Sequence, residues 1–226
     1  MSIFSALADI LYPRRCTFCR SFLKKDEKDI CAVCEKDLPR TPSGVSGEVR
    51  GEFFSHCVAP LYYGGRVRDS LRRYKFHGVT AYAPVYGRIL AECIRERLAG
   101  KYDLITWAPL GEKRLRERTY DQAGMLAMAA ANELGEKAVC TLVKRNIPEQ
   151  SGISGAEKRK ANVVGAYSVK APELVAGKRI LIIDDIVTTG ATLSECARML
   201  LMAGADDVVC ASLARTPKTA GKGTKV

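Results

Sequence analysis

Apolar positions in this chain alternate between short continuous runs and stretches with helical spacing. That pattern predicts an α/β domain: buried parallel strands wrapped by helices. The clearest run is RILII at 179–183, β-branched and flanked by turn residues. A helix is expected from Ser194, where Leu193, Ala197, Leu200 and Leu201 share a face and Gly204 can end it. Further strands are expected at 57–63, 103–109 and 207–214, with a turn at Gly64-Gly65. Helices are expected over 67–74, over 83–98 and from about Asp121. Ile3, Phe4, Leu7, Ile10 and Leu11 mark one face of a short leading helix. Residues 38–52 hold five Pro and Gly positions and read as a linker.

The chemistry gathers between the 179–183 strand and its helix. Asp184 and Asp185 follow the strand, then Thr188, Thr189, Gly190, Ala191 and Thr192. Ligands of open α/β sheets lie beyond the carboxyl ends of strands, where this loop must be. Hydroxyls, a permissive glycine and the start of a helix make a cradle for one phosphate. Two carboxylates would repel that phosphate, so they suit donors such as vicinal sugar hydroxyls. The loop lacks the Gly-Lys-Ser/Thr of a Walker loop, and no G-x-G-x-x-G is present.

Two other segments carry positive charge. Lys113, Arg114, Arg116 and Arg118 crowd what reads as a loop after the 103–109 strand. They suit a second anionic group such as a pyrophosphate, or form a solvated charged turn. The long polar stretch 142–167, with Lys144, Arg145, Lys158, Arg159 and Lys160, reads as a lid. His56 and His77 read as structural or solvated.

Four of the nine cysteines form two C-x-x-C pairs: Cys16, Cys19, Cys31 and Cys34. That spacing predicts one tetrahedral structural zinc site. Disulfides are the alternative, disfavoured by the cytoplasmic location expected of a start with no secretory signature. The remaining cysteines sit among apolar neighbours and read as core thiols. At 226 residues and 47% hydrophobic, the chain can build one α/β domain plus an appendage, and no stretch is apolar enough to span a membrane. The expected division is 1–45, a helix and zinc ribbon; 53–216, the α/β domain; and 217–226, a basic disordered tail. The formal charge of +11 implies anionic partners.

The stretch ILIIDDIVTTGATL resembles the signature of type I phosphoribosyltransferases, which bind 5-phosphoribosyl-1-pyrophosphate (PRPP). The resemblance implies that Asp184 and Asp185 hold ribose hydroxyls and that Thr188 to Thr192 hold the 5-phosphate. Nearly end to end the chain is similar to the ComF-type branch, related to a Gram-negative protein of DNA utilisation. The pieces are the cysteine ribbon, the Tyr63 to Gly78 element, RTYDQ at 118–122 and KRNIPEQSGISGAEKRKAN. Thr119 stands where that family usually has Gly, and Asp121 where it has Asn. A negative charge at Asp121 is expected beside the pyrophosphate. The implied fold is the type I phosphoribosyltransferase fold behind a zinc ribbon. One implied function is Mg²⁺-dependent transfer of phosphoribose from PRPP to a nitrogen acceptor, with Arg116 and Arg118 neutralising the leaving group. The other is a non-catalytic protein of DNA uptake that contacts single-stranded DNA or a helicase.

Overall fold

The computed structural model describes residues 13–42, 49, 51–145 and 163–217. The leading helix, the tail beyond 217 and most of the proposed lid therefore lie outside the described residues. The first described helix is α1 (Ala32–Asp37), within the cysteine module. The chain then runs β1 (His56–Val58), β2 (Leu61–Tyr62), α2 (Gly65–Phe76) and α3 (Ala83–Arg97). It continues through β3 (Leu104–Trp107), α4 (Glu112–Arg118), α5 (Gln122–Leu134), β4 (Leu142–Lys144) and β5 (Tyr167–Val169). β6 (Arg179–Val187), α6 (Ala191–Met202) and β7 (Asp207–Arg215) complete the order.

The main sheet is wholly parallel. Its order is β1-β7-β6-β3, with β2 also beside β7. Alternation along the two central strands divides the core. Leu181, Ile183, Val209 and Leu213 pack with Tyr74, Tyr86, Leu90, Ile94 and Leu126 on the face covered by α2, α3 and α5. Ile180, Ile182, Val208 and Cys210 pack with Leu193, Cys196 and Leu200 of α6 on the other. Both faces are dry, which is why these strands read as continuous apolar runs.

Several boundaries differ from the sequence reading. β6 continues to Val187, so the acidic pair lies in the strand rather than after it. The 57–63 strand is two short strands broken at Ala59 and Pro60, since proline has no N–H for a ladder. The start of the supposed linker is fixed: Thr41 N donates to Pro60 O at 2.9 Å and Tyr62 N to Pro39 O at 2.7 Å. The basic loop is the helix α4. The long polar segment leaves and returns through an antiparallel pair, β4 and β5.

The cysteine module docks on α2 and α3. Arg73 donates to Phe18 O at 2.7 Å, Ser70 Oγ to Thr17 O at 2.5 Å, and Arg88 pairs with Asp29 at 3.0 Å. Phe18 and Leu38 join the same apolar cluster as Tyr86.

α3 and α5 approach closely because α3 carries Gly87. A Cβ there would lie 2.6 Å from Ala129 Cβ and 2.7 Å from the Ala129 carbonyl carbon. Overpacking costs about 1–3 kcal/mol, more than the roughly 1 kcal/mol that Ala gains over Gly in a helix. Gly87→Ala is expected to lower stability in urea unfolding; an unchanged or raised midpoint would contradict the close packing.

Candidate functional site

The carboxyl end of β6 carries the acidic pair on a strand, so successive side chains face opposite ways. Asp185 turns toward α2, where its Oδ1 meets Lys75 Nζ at 2.9 Å; both side chains are largely buried. Asp184 turns toward α6 and β5, where Cys196, Tyr167 and Lys144 are its neighbours. Its Oδ1 accepts from Asp185 N at 2.8 Å. Burial, and then the neighbouring Asp185 charge, push the Asp184 carboxyl up to about 8, with Lys75 opposing.

Beyond β6 the chain turns into α6. Thr188 and Thr189 are exposed, and Gly190 sits at the helix start with φ 77°. That left-handed backbone, rather than crowding, calls for glycine: the nearest atom to a Cβ would be Phe54 Cζ at 3.5 Å. Thr189 Oγ1 accepts from Ala191 N at 3.4 Å, and Thr192 lies in the first turn. Thr216 clasps the loop from behind, its N donating to Val187 O at 3.0 Å and its Oγ1 to Thr188 O at 3.4 Å. The opening amides of α6 have no acceptor within the helix, and a helix start with threonine hydroxyls beside it is chemistry that suits an anion.

The basic residues of α4 are not gathered at one point. Arg114 lies close enough to act on Lys144 and Tyr167, on the Asp184 side. Lys144 stands over the Tyr167 ring at 5.1 Å, and burial, then the Arg114 charge, lower its pKa. Lys113 is exposed. Arg116 is exposed and pairs with Glu112 at 3.6 Å. Arg118 donates to Gln122 Oε1 at 2.9 Å and stacks over Phe76 at 4.7 Å.

The four cysteines of the N-terminal module do converge. Their Sγ atoms all lie within 4.8 Å of one another, and three of the residues are buried. Cys19 and Cys31 Sγ stand 3.6 Å apart. A tetrahedral zinc with bonds of about 2.3 Å separates its sulfurs by about 3.8 Å, so the cluster fits the ion. Burial opposes ionisation of Cys19, but hydrogen bonds with Ser21, Cys16 and Cys31 together bring the thiol to about 6.

A phosphoribosyl transferase domain model matches residues 121–225, and a double zinc ribbon domain model matches residues 7–44. The DNA utilization protein YhgH of Salmonella typhimurium is 33% identical over 227 residues, covering 90% of this chain and 98% of that one. Competence protein ComFC of Streptococcus pneumoniae is 31% identical over 210 residues, covering 85% and 90%. The chain belongs to the ComF family. Competence protein F of Haemophilus influenzae, at 25% identity over 222 residues, spans 89% of this chain and 96% of its own length. The fold is accordingly that of the type I phosphoribosyltransferases, carried behind a double zinc ribbon.

The two departures from the ComF pattern have different structural weights. Thr119 closes α4 in the left-handed region, φ 65°, a position that favours the family's Gly. The Asp121 carboxylate is held inside the fold rather than left loose in the loop. It caps α5 by accepting from Gly124 N at 3.2 Å, and it holds Trp107 Nε1 at 3.0 Å and Leu110 N at 3.4 Å. Burial raises its pKa. Lys75 and Tyr167 are the site neighbours that sequence reasoning missed; Lys144 was read as positive charge of the lid, and its place on the Asp184 side was not. Lys75 did lie inside the Tyr63 to Gly78 element, but nothing in that element pointed to Asp185.

Two outcomes follow for this ComF-family chain. Protein purified without chelator is expected to contain one zinc per chain by elemental analysis. Stripping the ion, or Cys16→Ser, should release the ribbon, because the polar loop 20–30 has little apolar surface to bury; metal-free protein with a protected ribbon in hydrogen exchange would refute this. The second outcome concerns Asp184. Folded, it keeps its proton to about pH 8; unfolded, it loses it near 3.8. The stability this confers is full below the unfolded value and lost as pH rises through the folded one. Asp184→Asn should therefore gain on wild type as pH rises from about 5 to about 8. A difference in unfolding midpoint independent of pH would contradict it.

Proposed function

We propose that this ComF-family protein binds PRPP at the end of β6 and transfers its phosphoribosyl group to a nitrogen acceptor, with release of pyrophosphate. The supporting observation is the unbroken order of acidic pair, threonine loop, left-handed Gly190 and helix start at one edge of a parallel sheet. In this reading the hydroxyls of Thr188, Thr189 and Thr192, with the amides at Gly190 and Ala191, take the 5-phosphate. Asp184 and Asp185 accept from the ribose hydroxyls, Asp184 giving up its proton as the ligand enters, and Lys75 yields its place on Asp185. The bond from the ribose C1 to pyrophosphate breaks, the leaving group keeps the electron pair, and the acceptor nitrogen forms the new bond and sheds its proton. Lys113 and Arg114 meet the departing pyrophosphate. Arg116 and Arg118 reach it only by leaving Glu112, and Gln122 with Phe76. Mg²⁺ accompanying the substrate would neutralise pyrophosphate charge, and the Asp184–Asp185 pair is the acidic group suited to it.

The test is calorimetry with PRPP and Mg²⁺ on wild type and on Asp184→Asn with Asp185→Asn. Hydrogen bonds to charged acceptors contribute roughly 1.5–3 kcal/mol each, and about 1.4 kcal/mol is tenfold in affinity. Losing two should weaken binding by about two orders of magnitude. Equal binding by the double variant would remove the ribose assignment.

A second reading has its own support. Phe22 and Phe76 are 60% and 62% exposed, and each lies under a guanidinium: Arg15 at 4.2 Å and Arg118 at 4.7 Å. Exposed aromatic faces with arginines suit a non-catalytic protein that holds single-stranded DNA. A thermal-shift screen of PRPP, nucleotides and oligonucleotides side by side separates the two: stabilisation by oligonucleotides without any by PRPP selects the second.

A further inference from the structure

A cavity of about 710 Å³ opens where the cysteine module, the β2–α2 turn and the end of β7 meet. Its volume is that of a small-molecule site, roughly 300–1,000 Å³. It does not include the acidic pair or the threonine loop, although Arg215 stands beside Val187 and Pro217 follows Thr216, which holds that loop. None of its lining residues falls in 184–192, and it lies at the first turn of α2, whereas Lys75 is at the last. Ten residues of helix span about 15 Å.

Its walls combine two chemistries. Arg215, only 4% exposed, has its guanidinium set 4.9 Å from the centre of the Tyr62 ring, with Nη2 donating to the Tyr62 hydroxyl at 3.0 Å. Arg66 adds a second guanidinium, steered by Cys34 Sγ at 3.7 Å. Tyr62, Tyr63 and Leu38 supply flat and apolar surface, and Asp37 supplies one acceptor. At Gly64 and Gly65 a Cβ would meet nothing within 4 Å, so the floor is open. Positioned arginines match phosphate oxygens. Tyrosine faces take a flat ring, and a carboxylate accepts from an amino group. We propose that this cavity binds a nucleoside monophosphate, its phosphate toward Arg66 and Arg215 and its base against the tyrosines. This inference is independent of whether the β6 site transfers phosphoribose.

The test titrates the full zinc-loaded protein with AMP and dAMP, followed by calorimetry, with saturating PRPP present to fill the β6 site. Saturable binding is expected. Arg66→Gln and, separately, Tyr63→Ala should weaken it by about tenfold or more, with zinc content and circular dichroism unchanged. Asp184→Asn with Asp185→Asn should leave it intact. A short oligonucleotide that binds more tightly than the mononucleotide, with the same dependence on Arg66, would assign the nucleoside phosphate to a DNA strand rather than a free metabolite. No binding into the millimolar range would overturn the proposal. So would nucleotide binding that is lost in the double aspartate variant, or that is indifferent to both Arg66→Gln and Tyr63→Ala.

Discussion

β6 and β7 run side by side in parallel from Arg179 against Asp207 to Val187 against Arg215, and the functional groups at the sheet's end take their positions from that ladder. It carries Asp184 and Asp185 on one strand and Arg215 on the next, and it presents the loop into α6 at the same edge. Register is held hard because both faces are buried. A slip of one residue would exchange Ile180 and Ile182 with Leu181 and Ile183 and send each aspartate to the wrong side. The α/β architecture and the geometry of the acidic pair thus share one cause.

The cysteine module stands in a different relation to the core. Much of it is polar, and its attachment is made by side chains of the larger domain reaching into its backbone: Arg73 and Ser70 hold carbonyls of Thr17 and Phe18. The large domain therefore reads the module's backbone shape, set by the four cysteines, as well as the side chains of Phe18, Leu38 and Asp29. Arg66 joins the two, placed beside Cys34 at one end of the cavity.

The buried strands were legible because burial on both faces leaves an uninterrupted apolar run, as at 179–183. The ribbon was legible because its ligands come as paired cysteines. α3 was legible from its spacing, starting at Ala83 as expected. α4 was not: EKRLRER buries no residue, so no apolar stripe announces it, and its charge density resembles a loop. The break in the 57–63 strand lay in Pro60, whose missing N–H outweighed the apolar pattern. The capping role of Asp121 was not legible, because a capping carboxylate and a free one look alike in sequence. Lys75 and Asp185 are more than a hundred residues apart, and only the packing of α2 on β6 brings them together.

The Lys75–Asp185 contact also sets the terms on which anything binds beside it. A bare pair of adjacent carboxylates at the mouth of a dry sheet would scavenge any passing cation. Here a tethered ammonium already neutralises one of them, and Asp184 keeps its proton near neutrality. The acidic pair is therefore largely neutralised from within the protein. A newcomer must displace an internal counter-ion, so it has to bring hydrogen-bond donors or positive charge of its own. Simple monovalent ions gain too little to compete with an ammonium held at 2.9 Å.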